Sequence, residues 1–337
     1  MDSNKFDVII IGSGITGLSA GTSLLNSGKS VLILDKGKAA GGRTASRRIE
    51  SPSKNSFDTV DYGAPGFEVF TPVFKNFVSD FLSKGILKSW FDILAFDNNA
   101  VISKYCGVNS MREFAIELSK NLNITQNFKV VKISLDNATN LWEVTGETGI
   151  SYFCSNLFLT APLPQSLELL QISSIKLPYS SLSILDLIQY EKCIVLAIQP
   201  VKEFIFPEQG FIDNFNHNIF LAVDNHKKGI KCSNQLITLY FSAALSEEIW
   251  DYNSDSLVKA LFNQSQEILK GESPVSYFAH KWRYSKPTSF YHEPFFTTHE
   301  LPGLYICGDA FVKEGVEGAF LSGKATANHI LNEDKPD

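Results

Sequence analysis

Apolar positions first gather in a near-continuous run from Phe6 to Ile11, rich in isoleucine and valine. Such a run predicts a strand buried on both faces, as in a parallel sheet. A glycine-rich turn follows. Helical spacing then extends over Leu18 to Asn26 and stops at Gly28. Val31 to Leu34 predicts a second buried strand, closed by Asp35. Together these make a β-α-β unit.

The pattern then changes. Residues 51–60 are rich in Ser, Pro, Lys and Asn and predict a loop. Phe74 to Leu82 and Met111 to Leu122 repeat apolar residues at helical intervals. Lys129 to Leu135, Leu141 to Thr145 and Ile150 to Cys154 predict short strands. The turn-forming stretches 137–140 and 146–149 separate them, which makes an antiparallel meander. Leu157 to Thr160 is a further strand, stopped by Pro162 and Pro164. Between residues 165 and 275, strand-like runs (Cys193 to Ile198, Ile219 to Val223, Leu236 to Phe241) precede a helical one, Ser256 to Leu269. A strand over Leu304 to Cys307 and a helix over Val316 to Ile330 complete the pattern. The two chain ends thus read as parts of one α/β sheet, and the middle as an insertion with its own sheet.

Composition narrows the class. At roughly 150 residues per domain, 337 residues suggest two domains. With 44% apolar and 20% charged residues, the chain is an ordinary globular protein and not a disordered one. A net charge of −6 argues against a nucleic-acid binder. Cys106, Cys154, Cys193, Cys232 and Cys307 stand far apart without a Cys-x-x-Cys, so buried free thiols are expected and a metal site is not. With neither a signal-peptide pattern nor a membrane-length apolar run, a cytoplasmic protein is expected, and the sequons at Asn123 and Asn137 carry no weight.

The chemistry begins at Gly12-Ser13-Gly14-Ile15-Thr16-Gly17, the dinucleotide fingerprint between strand and helix. Gly12 allows the tight turn, Gly14 the approach of a pyrophosphate, and Gly17 close helix–strand packing. The phosphates are expected on the helix N-terminus, with Ile15 and Thr16 in its first turn. Asp35, followed by Lys36, is placed to accept the hydroxyls of an adenosine ribose. Two further signals favour FAD over NAD. Gly41-Gly42-Arg43 offers a second close backbone approach and a cation for phosphate. Gly308-Asp309 ends a late strand, where a carboxylate can hold a ribityl hydroxyl. The helix near Val316 can point its N-terminus at the flavin pyrimidine edge.

These motifs resemble the FAD-dependent amine-oxidase superfamily. Finer matches resemble its renalase family: Asp61-Tyr62-Gly63-Ala64, Tyr105-Cys106-Gly107-Val108, Val223-Asp224-Asn225-His226-Lys227-Lys228, His280-Lys281-Trp282-Arg283-Tyr284 and Val316-Glu317-Gly318-Ala319-Phe320-Leu321-Ser322-Gly323. The resemblance runs from residue 6 to 327, and the stretches around Trp282 and Val316 are the specific ones. It implies an α/β fold with a Rossmann-type, p-hydroxybenzoate-hydroxylase-like domain holding non-covalent FAD. That domain is expected to be discontinuous, over 1–62, 98–165 and 274–337. An inserted α+β substrate domain is expected over 63–97 and 166–273. The resemblance further implies oxidation of misreduced NAD(P)H isomers, 2- or 6-dihydro forms, to NAD(P)+. Hydride passes to flavin N5 and then electrons to O2, giving hydrogen peroxide.

Site residues follow one by one. By resemblance, Trp282 is a wall of the substrate pocket; read alone, it is a core tryptophan between snorkelling cations. Gly63 and Ala64 match small residues beside the isoalloxazine, or form a plain turn. Glu317 lies beside Val316 at the flavin-proximal helix start, or is a solvated first-turn acid. Where the family has glutamine and an aromatic after Gly63-Ala64, this chain has Pro65 and Gly66. Tyr240 falls where many renalases have a histidine, and Phe211 near a pocket tyrosine of animal members. These departures leave the substrate open. Two other readings stand: oxidation of an amine or an alkene on the same fold, and a flavin-binding protein whose pocket has drifted out of use.

Overall fold

Lys5–Ile11 is an inner strand of a seven-stranded sheet in the computed structural model, which describes residues 4–50, 57–94 and 101–333. Parallel neighbours flank it, Val31–Leu34 on one side and Ser151–Leu159 on the other, so that Ile9 lies beside both Leu32 and Leu157. Val8, Ile9 and Ile10 are fully buried, which is why the sequence shows no polar alternation there. Ile124–Thr125 extends the sheet beyond Val31–Leu34. On the other side the antiparallel meander Ser151–Leu159, Leu141–Gly146, Val130–Asp136 completes the sheet, and Leu304–Ile306 runs parallel beside Ser151–Leu159.

Contacts divide the chain into two compact units. Unit one comprises Met1–Gly42, Ala115–Gln189 and Pro287–Asp337; unit two comprises Arg43–Phe114 and Tyr190–Lys286. Unit one holds the seven-stranded sheet, with helix Ile15–Asn26 and the long helix Gly315–Glu333. Residues 43–50, 57–62, 101–114 and 274–286, grouped on sequence grounds with the dinucleotide motif, lie in unit two, and 166–189, grouped with the substrate domain, lie in unit one. A hairpin in unit two pairs Ser46–Glu50 with Phe57–Asp61, and Asp61 bonds there to Lys228 and Met111.

Unit two is built on a five-stranded sheet in the order Phe211–Asp213, Ile219–Asp224, Ile237–Phe241, Tyr190–Gln199, Ser276–Pro287. Strand alternation separates two apolar layers. Ile194, Leu196 and Ile198 face a core shared with Leu245, Leu257 and Leu261 of helices Ala243–Glu248 and Ser254–Gln264. Cys193 and Val195 face the opposite layer with Leu221, Val223 and Tyr240.

The structure corrects four expectations. Phe57–Asp61 is a strand and not loop, because Asp58, Val60 and Asp61 are buried against its partner and unit two; residues 51–56 of that expected loop lie outside the described residues. Ser151–Leu159 is one strand where two were expected, since 151–154 pair with the meander while 153–159 pair with Lys5–Ile11, and the two pairings overlap at Phe153 and Cys154. The helix over Ser256 to Leu269 is two, Ser254–Gln264 and Gln266–Leu269, divided at Ser265, whose hydroxyl bonds back to the Leu261 carbonyl at 2.7 Å. Strands Leu87–Leu94, Val101–Gly107 and Ser276–Pro287 were not expected: partial exposure on both faces erases the alternation that would signal them. All five cysteines are free; burial pushes the Cys154, Cys193 and Cys307 thiols up to about 12. Among the described residues, no helix is long and apolar enough to cross a membrane.

Candidate functional site

In unit one, the fingerprint glycines have distinct geometric roles. A Cβ on Gly17 would lie 2.0 Å from the Gly12 carbonyl oxygen, so only glycine lets the helix start this close to the strand. A Cβ on Gly14 would meet nothing within 4 Å, leaving the backbone open to a ligand where helix Ile15–Asn26 begins without a side-chain cap. Its first amides, from Ile15 and Thr16 onward, face that opening with the positive end of the helix dipole. Gly42 comes close, its Cβ position 3.4 Å from the Gly14 Cα, and Gly41 donates its N–H to the Ser13 carbonyl at 2.8 Å. The two glycine motifs thus share one surface.

Asp35 ends the second strand as expected, and its carboxylate is already engaged. Oδ2 accepts from the Ser13 N–H (2.5 Å) and hydroxyl (2.6 Å), and Oδ1 from the Gly37 N–H (2.6 Å). With three of about four lone-pair positions taken, one remains for a ribose hydroxyl, where the sequence led us to expect a carboxylate free for two. Asp35 therefore also holds the phosphate turn in shape. Lys36 is exposed and reaches the Gln165 side chain at 3.3 Å.

Helix Gly315–Glu333 packs on helix Ile15–Asn26 through small residues: a Cβ on Gly323 would lie 2.2 Å from the Thr16 carbonyl oxygen, and Ser19 donates to the Phe320 carbonyl at 2.9 Å. Ser322 joins the same helix to the late strand, accepting from the Gly308 N–H at 2.9 Å, and Asp309 beside it is buried. Val316 and Glu317 are buried in the helix's first turn, with Lys313 Nζ 3.3 Å from the Glu317 carboxylate, so Glu317 is not the solvated acid of the alternative reading. Val312, a β-branched residue at φ +78°, lies just before this helix and stores backbone strain there.

In unit two, the three sequence-expected pocket residues come together. Trp282 and Phe211, both half-buried, pack with Tyr62 and Trp90 against the layer that contains Tyr240. Three successive carbonyls each accept a side-chain donor: Asp61 from the Thr238 hydroxyl (2.9 Å), Tyr62 from the Trp282 indole (2.9 Å) and Gly63 from the Tyr240 hydroxyl (2.8 Å). The Tyr240 phenol is thus a committed donor, and burial pushes its pKa well above the ordinary value, with the Asp61 carboxylate adding to the effect. This bond ties the Tyr240 side chain to the Gly63 backbone. Ala64 donates its N–H to the Arg43 carbonyl at 2.8 Å. Arg43, expected on a phosphate, donates from Nη1 to the Tyr284 and Ser285 carbonyls at 3.3 and 3.1 Å, which ties it to the strand that carries Trp282. Gly66, a departure from the family pattern, has a reason: a Cβ there would lie 2.7 Å from the Tyr105 carbonyl oxygen and 3.0 Å from the Trp90 ring.

Sequence reasoning assigned no role to Asp61, Lys228, Tyr62, Trp90 or His280. Lys228 and Asp61 form a fully buried ion pair at 2.6 Å, with Lys228 Nζ also 5.1 Å from the Trp90 ring centroid. Asp61 further accepts from the Ser46 hydroxyl and the Met111 N–H. His280 packs edge-on against both Tyr62 and Trp282, ring centroids 5.0 and 4.3 Å away. The aromatic alternation Phe278, His280, Trp282 was a visible strand signal that could have found it. Among the described residues, no group of His, Cys, Asp or Glu could hold a metal ion.

These donors fit a dinucleotide: open glycine backbone at an uncapped helix start, a second glycine approach, and a carboxylate with an acceptor position to spare. Comparison with known proteins gives the class. A model of NAD(P)-binding Rossmann-like domains matches residues 10–81, and a model of flavin containing amine oxidoreductases matches residues 65–331. The chain belongs to the flavin containing amine oxidoreductase family, and it is a FAD-dependent oxidoreductase. Within that family it is similar to renalase from Mus musculus, at 26% identity over 345 residues, covering 94% of this chain and 96% of the mouse protein. Solved structures agree on the fold. A protein of Exiguobacterium sp. 255-15 described as a candidate protoporphyrinogen oxidase superposes with a TM-score of 0.74 at 12% identity, covering 99% of this chain and 100% of that one. Putrescine oxidase bound to putrescine gives a TM-score of 0.69 at 13% identity, covering 97% and 99%.

Proposed function

We propose that this protein is a renalase-like oxidase that converts 2- or 6-dihydronicotinamide isomers of NAD(P) to NAD(P)+. Each turnover consumes one O2 and one proton and yields one hydrogen peroxide. FAD, held non-covalently, supplies the hydride acceptor and delivers the electrons to O2. The chain's own residues bind, orient and fence. Gly14, Gly42 and the first turn of helix Ile15–Asn26 hold the cofactor's pyrophosphate, while Asp35 and Asp309 hold its sugar hydroxyls. Trp282 borders the planar donor ring.

The observation that carries this reading is the aromatic cluster of Trp282, Tyr62, Phe211 and Trp90 on the Tyr240 layer, flat apolar walls suited to a dihydropyridine. Hydride departure leaves a pyridinium and releases no proton at the donor, so the reaction needs no base. That agrees with a Tyr240 phenol bound to a carbonyl. The cluster suits a cationic amine less well. Its carboxylate, Asp61, is already neutralised by Lys228, and the Tyr62 and Trp282 rings are stacked on each other at 5.6 Å and 18°, with no gap for an ammonium group between them.

The test is stoichiometry in air. Incubated with borohydride-reduced NAD+, the protein should form NAD+ and hydrogen peroxide one for one. Peroxide from amines and none from any dihydronicotinamide isomer would replace this reading with an amine oxidase.

A further inference from the structure

Strand Ser276–Pro287 carries Phe278, His280 and Trp282 at alternate positions, so all three side chains stand on one face. Their rings form a continuous ladder: Phe278 to His280 is 6.1 Å and His280 to Trp282 is 4.3 Å between centroids, and Tyr62 touches all three at 5.0 to 5.6 Å. The two spacings put at most about 10 Å between the Phe278 and Trp282 ring centres. All four rings are half-buried. Arg47, from strand Ser46–Glu50, stands at the Phe278 end with its guanidinium carbon 4.2 Å from that ring's centroid. Arg47 is exposed, and no salt bridge joins it to a carboxylate among the described residues.

We propose that Arg47 and this ladder form a subsite for the ribose-phosphate arm of the nucleotide substrate, with the Arg47 guanidinium taking the phosphate next to the nicotinamide ribose. The inference rests on the oxidase reading above and names what distinguishes a nucleotide donor from a bare nicotinamide. A nucleotide is a flat ring, a sugar and then an anion. The ladder offers the same sequence in space: the Trp282 wall, a run of aromatic surface that a ribose can lie on, and a cation at the far end. Guanidinium suits the last position because its planar fork of donors matches phosphate oxygens, and its contact with the Phe278 ring places it at that end of the ladder. Burial and the nearby Arg47 charge both lower the basicity of His280, so the middle of the ladder is uncharged at neutral pH and Arg47 alone carries its charge.

The experiment compares dihydronicotinamide donors that differ only beyond the ring: the riboside, the mononucleotide, NAD and NADP forms. Flavin reduction by each is measured anaerobically with the FAD-loaded wild type and the Arg47→Gln and Arg47→Lys variants. The preference for mononucleotide over riboside, as a ratio of kcat/KM values, should fall roughly tenfold or more in Arg47→Gln and by less in Arg47→Lys. The NAD form should follow the mononucleotide. A ratio unchanged in Arg47→Gln, beside a wild type that does oxidise these donors, would overturn the subsite and leave the oxidase reading standing. So would a loss confined to the NADP form, which would place Arg47 on the 2′-phosphate. A wild type whose flavin no donor reduces would overturn both. FAD content, read from absorbance, separates these outcomes from a variant that has lost its cofactor.

Discussion

The indole N–H of Trp282 donates to the backbone carbonyl of Tyr62 at 2.9 Å, and the rings of the same two residues stack at 5.6 Å and 18°. A single indole thus satisfies the backbone acceptor of Tyr62 and packs on the side chain of the same residue, across 220 residues of sequence. Trp282 is only half-buried, so part of its surface remains exposed.

Replacing Trp282 with alanine should slow flavin reduction by a dihydronicotinamide, because small misplacements of a reacting ring cost on the order of a hundred-fold in rate. FAD content should hold. Trp282→Phe keeps a ring and leaves the Tyr62 carbonyl without its donor, so it should lower stability by about 1–3 kcal/mol while retaining more of the rate. Rapid-mixing kinetics with urea melts checks both. Loss of FAD from Trp282→Ala with no separable effect on reduction would return Trp282 to a structural role.

Asp35→Ala should weaken FAD binding by roughly ten- to a hundred-fold, more than the loss of one sugar contact alone, since the Ser13 turn loses its anchor as well. Titration of the apoprotein with FAD, followed by fluorescence quenching, measures it. Unchanged affinity would show that the phosphate turn does not hold the cofactor.

Lys228→Met leaves the Asp61 carboxylate buried and uncompensated, which should lower stability by about 3–5 kcal/mol in urea unfolding. The double variant Asp61→Leu with Lys228→Met should recover only part of this, because the Ser46 hydroxyl and Met111 N–H then lose their acceptor. Full recovery would mean that those two donors contribute nothing.

His280 titrates below its ordinary value of 6.5 because burial and the Arg47 charge disfavour its cation. In the unfolded chain it takes a proton near 6.5, so between that value and its lowered one the unfolded state binds more protons. Stability should therefore fall as pH drops through 6.5 and level off once the folded form is protonated too. His280→Gln should flatten this part of the pH–stability curve. A decline of the same size in the variant would assign it to other groups.

How much of this was legible in the sequence depends on distance along the chain. Gly12 to Gly17 and Asp35 carry their chemistry in local spacing, so the dinucleotide fold could be read directly. Trp282, Tyr240 and Phe211 could be chosen only through resemblance, yet they meet on one layer. The Asp61–Lys228 pair spans 167 residues, and no periodicity links two such positions. The engagement of Asp35 by Ser13 was hidden for another reason: a spacing rule says which side chain reaches a sugar, not which backbone donors reach it first. Strand Ser276–Pro287 escaped notice because its cations and aromatics are half-exposed on both faces, so polarity does not alternate although aromatic character does.

The most direct measurement of the central claim is anaerobic stopped-flow mixing of the FAD-loaded protein with separated 2- and 6-dihydro isomers of NAD(P), followed at the flavin's visible absorbance. The account predicts rapid, saturable bleaching by at least one isomer, full return of colour on admitting O2, and no bleaching by putrescine or other amines over the same time. A flavin that stays yellow with both isomers, in protein shown to hold FAD, would contradict it.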